Sequence, residues 1–128
     1  MTGDAEEALA RVRAICLALP HAAERLSHGA PGFFLNIGKN GGKFFGYFWN
    51  DHHGDGKVAL LVKTSGREEQ TMLVDMDPDF YFVPPYLGPS GWVGMRVDQD
   101  TTDWERVADR AAMSWEMVAP RRLLAERG

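Results

Sequence analysis

The chain is expected to fold as a two-layer α+β domain, with an antiparallel sheet of about five strands and helices on one face. The expected order is helix, three strands, helix, two strands, helix. Three observations predict this. Segments with helical apolar spacing open, divide and close the chain. The strand-like segments between them are joined by connections too short for parallel crossovers. The 128 residues leave room for one core, because two would have about 60 residues each, which is marginal. We therefore treat residues 1–128 as one unit, with the 45% apolar and 25% charged content of a soluble globular protein.

The first helix is predicted over residues 4–19. Ala5, Ala8, Leu9, Val12, Ile15, Cys16 and Leu19 form one apolar stripe, Asp4 is placed to cap it, and Pro20 stops it. A short strand around Glu24–Ser27 is followed by a strand over Phe33–Ile37. The turn Gly38–Gly42 contains Asn-Gly and leads into the aromatic strand Lys43–Trp49. Asn50–Gly56 is a polar loop, and Val58–Val62 is a continuous apolar run of the kind found in a central strand. Ser65 and Glu68 suggest a capping box for a helix over 66–76, with Met72, Leu73 and Met76 as its buried side. Strands at Phe80–Val83 and Trp92–Val97 flank the rigid Pro84–Gly91 loop. Thr102 and Glu105 suggest a second capping box for a helix over 103–118, with Trp104, Val107, Ala108, Ala111, Trp115 and Val118 on one face. Pro120 separates a short terminal helix over Arg121–Gly128.

Net charge is −4, which argues against a protein that coats nucleic acid by overall charge. The distribution is uneven. Residues 33–67 carry net +3 and residues 106–128 net +2, whereas residues 68–105 carry net −8. A basic face built from the second and last segments is one reading, and an unevenly charged solvated surface is the other. No apolar run is long enough to cross a membrane. The acidic start lacks the pattern of a secretory signal, and the single Cys16 lies on the helix stripe as a packing residue. A cytoplasmic location is expected.

Catalytic motifs fail on inspection. Gly38–Lys43 resembles a phosphate loop, but Ile37 stands at the first-glycine position and Phe44 where Ser or Thr should bind magnesium. Asp51, His52, His53 and Asp55 crowd one loop, yet adjacent histidines diverge, so a solvated loop is the simpler reading. Gly88–Trp92 lacks the final glycine of a nucleophile elbow. No enzyme activity, cofactor or metal is expected. Phe33, Phe34, Phe44, Phe45, Tyr47, Phe48 and Trp49 lie on adjacent strands, so about half should point away from the helices. That face could stack bases beside lysines, serve as a protein interface, or be covered by loops, the C-terminal tail or a dimer partner.

Several quoted segments stand in a recognisable order: Glu24, Ser27-His28-Gly29-Ala30-Pro31-Gly32-Phe33, Gly38-Lys39, and Lys43-Phe44-Phe45. Downstream come Val58–Lys63, Pro84–Trp92 with Val93, Trp104, Ser114-Trp115 and Val118–Leu123. The series resembles the MmcQ/YjbR family of small bacterial proteins over about residues 8–124. The resemblance implies an α+β fold with helices on one side of an antiparallel sheet, similar to CyaY and to type III secretion chaperones. It also implies DNA binding through a double-wing arrangement, and it supplies no catalytic residues. Gly38–Lys43 and Asn50–Gly56 are the wing candidates, the second carrying Asp51 and Asp55, which repel phosphate.

The leading expectation is therefore a non-enzymatic protein binding DNA weakly and salt-dependently through Lys39, Lys43 and Lys63, extended by Arg121 and Arg122, with Arg96 a weaker candidate. The alternatives are a chaperone-like module for a protein partner, or a small-ligand binder using a polar site at Glu24 and His28 beneath the helices. A structural turn with a hydrogen-bonded histidine is the simpler reading of His28-Gly29-Ala30-Pro31. Monomer and dimer both remain open.

Overall fold

Among the described residues, 2–38, 42–51, 54 and 56–127, the computed structural model has six strands and four α-helices. In chain order they are α1 (Thr2–Leu17), β1 (Ala22–Ser27), β2 (Ala30–Leu35), β3 (Phe44–Asn50), β4 (Val58–Val62), α2 (Arg67–Met76), β5 (Tyr81–Phe82), β6 (Val93–Arg96), α3 (Trp104–Val118) and α4 (Arg121–Arg127). The strands form one antiparallel sheet in the order β1-β2-β3-β4-β6-β5. The α+β class and helix-covered sheet agree with expectation. One more strand is present because β1 is a full edge strand.

Alternation sets the two faces. Phe33, Leu35, Phe45, Phe48, Leu60, Val62, Val93 and Met95 face the helices, where they meet Ala8, Val12 and Cys16 of α1, Val107, Ala111 and Trp115 of α3, and Leu123 of α4. Full burial of each large side chain contributes about 1.5–3 kcal/mol. Trp115 is fully buried, and its Nε1–H donates to Pro20 O at 2.9 Å, tying α3 to the turn that follows α1.

Local signals were shifted in three places. Asp4 lies inside α1, which starts two residues earlier. The box at α2 is closed by Glu69 rather than Glu68: Ser65 N–H donates to Glu69 Oε1 at 2.8 Å, and the N-cap position is Gly66, which has no side chain to cap with. Met72 and Met76 are 56% and 63% exposed, and Gln70 takes the buried place beside Leu73. The reason is a polar demand. Gln70 Nε2 donates to Gly88 O and Trp92 O at 2.8 and 2.7 Å, anchoring the Pro84–Gly91 loop. At α3 the cap is Asp103, whose Oδ1 accepts from Glu105 N and Arg106 N. Thr102 Oγ1 instead donates to Arg96 O in the preceding loop.

A bulge in β3 decides what the second face carries. Pairing steps from Phe33↔Gly46 to Phe34↔Phe44, so Phe45 is the extra residue. Phe45 turns into the core and Phe44 to the opposite side. Buried Ser114 of α3 satisfies the irregular backbone: its Oγ donates to Phe45 O at 2.6 Å and accepts from Lys63 N–H at 3.0 Å.

Candidate nucleic-acid interface

The face of the sheet turned away from α1 and α3 can be read from the register. Its central row runs Arg25, Gly32, Tyr47, Leu61, Gly94, Phe82. Aromatic rings pack one against the next across it. Phe34, Phe44, Tyr47 and Trp92 form a continuous series with centroid separations of 5.4, 5.2 and 5.3 Å. Two glycines make this possible. A Cβ on Gly32 would lie 2.6 Å from the Phe44 ring, and one on Gly94 would lie 2.4 Å from the Phe82 ring. Ala30, Trp49, Ala59, Leu61 and Trp92 form the small buried cluster beneath, with Tyr47, Phe82 and Leu87 packed against it. The chain's own rings and the Pro84–Gly91 loop therefore cover much of this face, leaving Phe44, Tyr47 and Phe82 half-buried.

Cations sit on the rings. The Arg25 guanidinium lies 4.6 Å from the centroid of Phe34 and 5.0 Å from that of Phe44, and Lys57 Nζ lies 5.1 Å from that of Phe82. Such contacts hold a cation in place at about 0.5–1 kcal/mol while leaving its charge intact. Burial raises the Tyr47 phenol above its usual pKa, with Ser27 and Arg25 beside it opposing the shift.

The acidic strand residue is elsewhere. Among the strand residues, Glu24 alone is acidic, and it lies opposite Phe33 on the helix side. There it takes two hydrogen bonds of 2.8 Å from Arg13 of α1. Arg25, Lys43 and Lys63 have no ion pair among the described residues. Arg96 is tied to Asp98 at 3.3 Å.

The expected site residues divide accordingly. Lys63 follows Val62 and falls on the open side by alternation, Arg96 is on that face, and exposed Lys43 lies at its β2–β3 end. Arg121 and Arg122 are exposed on α4, whose Leu123 packs into the helix-side core, so they belong to the other layer. Lys39 lies outside the described residues, as do His52, His53 and Asp55. Each wing candidate is thus described only in part. In the second, Gly56 N–H donates to Asp51 Oδ1 at 2.6 Å, closing the loop. Glu24 and His28 are engaged differently: Glu24 is committed to Arg13, and His28 is exposed in the β1–β2 turn. His28 and Gly29 have φ of 52° and 81°, the positive pair of a type I′ hairpin. Sequence reasoning misses Arg25 and Lys57. Each lies beside a strand residue of opposite orientation, and only the register shows which face it joins.

Among the described residues no cluster of His, Cys, Asp or Glu is arranged to hold a metal, and no helix is long and apolar enough to cross a membrane. The YjbR family model matches residues 17–117. The chain belongs to the YjbR family. The matched span holds the whole sheet and nearly all of α3, so Arg25, Lys43, Lys57, Lys63 and Arg96 lie within the YjbR match and Arg121 and Arg122 outside it. No curated protein matches the chain in sequence. The crystal structure of Deinococcus radiodurans protein DR2400, with the domain DUF419, is similar in fold. Its TM-score is 0.69, with 19% identity, over 88% of this chain and 79% of that one.

Proposed function

We propose that this YjbR protein is a non-catalytic nucleic-acid-binding domain that holds single-stranded DNA on the open face of its sheet. One observation carries the reading: the strands place Arg25 and Arg96 on that face, with Lys57 and Lys63 at its borders, and turn their one acidic residue, Glu24, to the other. Arginine and lysine keep their charge at neutral pH, which suits phosphate contact rather than proton transfer. Half-buried Phe44 and Tyr47 give bases an apolar surface beside those cations. A six-stranded sheet is too broad for a major groove that admits a helix or a two-stranded ribbon, so a single strand is the better fit.

Fluorescence anisotropy with labelled oligonucleotides across a salt series tests this. With Arg25, Lys43 and Lys63 on phosphates, log K should fall against log salt with a slope of about −2 for a single strand. Arg25→Ala should flatten that slope by about 0.7, whereas Arg121→Ala with Arg122→Ala should leave it unchanged. Absence of binding to single- and double-stranded DNA at roughly 100 μM protein and low salt would overturn the reading.

A further inference from the structure

At the β5 edge of the open face lies a cavity of about 420 Å³, lined by residues that include Lys57, Asp79, Phe82, Arg96 and Arg106. That volume lies within the range of roughly 300–1,000 Å³ usual for small-molecule sites. Its walls differ in charge. On the sheet side are Lys57, above the Phe82 ring, and Arg96. Arg96 spends Nη2 on a 3.3 Å contact with Asp98, while its Nε is buried without a partner among the described residues. On the other side is the C-terminal end of α2, where carbonyls and the helix dipole favour hydrogen-bond donors. Asp77 there is committed to Arg106 at 3.0 Å, and Asp103 to the α3 cap. The Asp79 carboxylate is exposed, and its side chain has no partner among the described residues.

A ligand matching both walls has an anion at one end and adjacent N–H donors at the other. We propose that the cavity receives a guanine nucleotide, its phosphate against Lys57 and Arg96 and its N1–H and N2–H edge against the Asp79 carboxylate. Guanine presents two neighbouring donors, which a carboxylate accepts side by side. Adenine and cytosine each set an acceptor next to their amino group, and a carboxylate repels it. The ligand class rests on the nucleic-acid reading of the open face, for which this cavity is the place where one base of a strand, or its end, is read.

The experiment is a titration of the full chain with guanosine, adenosine, cytidine and uridine 5′-monophosphates by amide NMR and calorimetry, beside the oligonucleotide assay. The expected result is saturable binding of the guanosine nucleotide that shifts amides of Asp77–Phe82 and Arg96–Asp103, with at least about tenfold preference over the other three. Asp79→Asn, at an exposed position that leaves the fold intact, should cost about tenfold or more in that affinity. No shift at millimolar nucleotide, equal shifts for all four bases, or undiminished affinity in Asp79→Asn would overturn the proposal. Strand binding that persists while the mononucleotide gives no response sinks the cavity alone. Mononucleotide binding without any strand binding sinks the open-face reading instead.

Discussion

Replacing Ser114 with alanine should unsettle both the core and the open face, and the size of the effect follows from two hydrogen bonds. Ser114 is fully buried, and its Oγ joins Phe45 O at 2.6 Å to Lys63 N–H at 3.0 Å. Alanine removes one oxygen, so the cavity contribution is small, at ~0.3 kcal/mol. The larger cost is two backbone groups left without a partner, each about 1–3 kcal/mol when water cannot reach it. The carbonyl of Phe45 is buried and pays in full, while the Lys63 amide is part-buried and recovers some solvation. The sum is about 2–4 kcal/mol, a large share of the 5–15 kcal/mol typical of a domain. Urea unfolding followed by tryptophan fluorescence should show the midpoint fall with an unchanged m-value. Ser90→Ala, at an exposed position, serves as the unaffected control. Because the bulge at Phe45 is what turns Phe44 to the open face, Ser114→Ala should also weaken oligonucleotide binding in the folded population. A loss below about 0.5 kcal/mol would refute the account of Ser114 as the group that satisfies the bulge.

Gly94→Ala should cost about 1–3 kcal/mol by pushing the Phe82 ring off the sheet, and loss of the Lys57 contact should accompany it, read as a shifted Phe82 ring resonance. The pH dependence of stability should include a contribution from Glu69. The Ser65 amide, and then Arg110, hold its carboxyl below the usual value of 4.5, so the native state binds that proton less readily than the unfolded chain. That stabilisation is complete above 4.5 and disappears as pH falls through the lower native value, so acid should reduce the urea midpoint of the parent more than that of Glu69→Gln. Cys16 is fully buried, and burial pushes its thiol up to about 12, so a thiol reagent should label it only under unfolding conditions; rapid labelling of the native protein would contradict the packing of α1.

Periodicity made the layers legible. The stripes of α1 and α3 and the apolar run of β4 are local patterns, and each reports one buried direction regardless of what covers it. Capping was less legible, because Ser65 and Thr102 each stand next to a second polar residue able to serve, and long-range hydrogen bonds decide between them. The exposed Met72 and Met76 illustrate the same limit. An apolar residue at helical spacing is expected inside, but Gln70 takes the inner place to meet two loop carbonyls that only the fold brings near. The site was the least legible part. Arg25 faces Phe44 across residues that are distant in sequence, and the Phe45 bulge reverses the alternation that would have placed Phe44 in the core.

A chain with net charge −4 can still offer a cationic surface, because what a strand meets is set by distance and screening rather than by the total. Glu24 is held against α1 on the helix side, whereas Asp77, Asp98 and Asp103 approach the open face only at its β5 edge. A helical layer is on the order of 10 Å thick. At physiological ionic strength the Debye length is about 8 Å, so carboxylates behind that layer are largely invisible to an anion lying on the open face. Arg25, Lys43 and Lys63 are visible to it, and among the described residues none of them is neutralised by an ion pair. Lowering the salt to about 0.01 M lengthens the screening distance to about 30 Å, enough for the acidic helix layer to be felt through the domain. Net charge therefore trims, without reversing, the gain in affinity that low salt gives phosphate contacts. The separation of charge between the two layers, rather than the number of basic residues, is what the proposed binding of an anionic strand depends on.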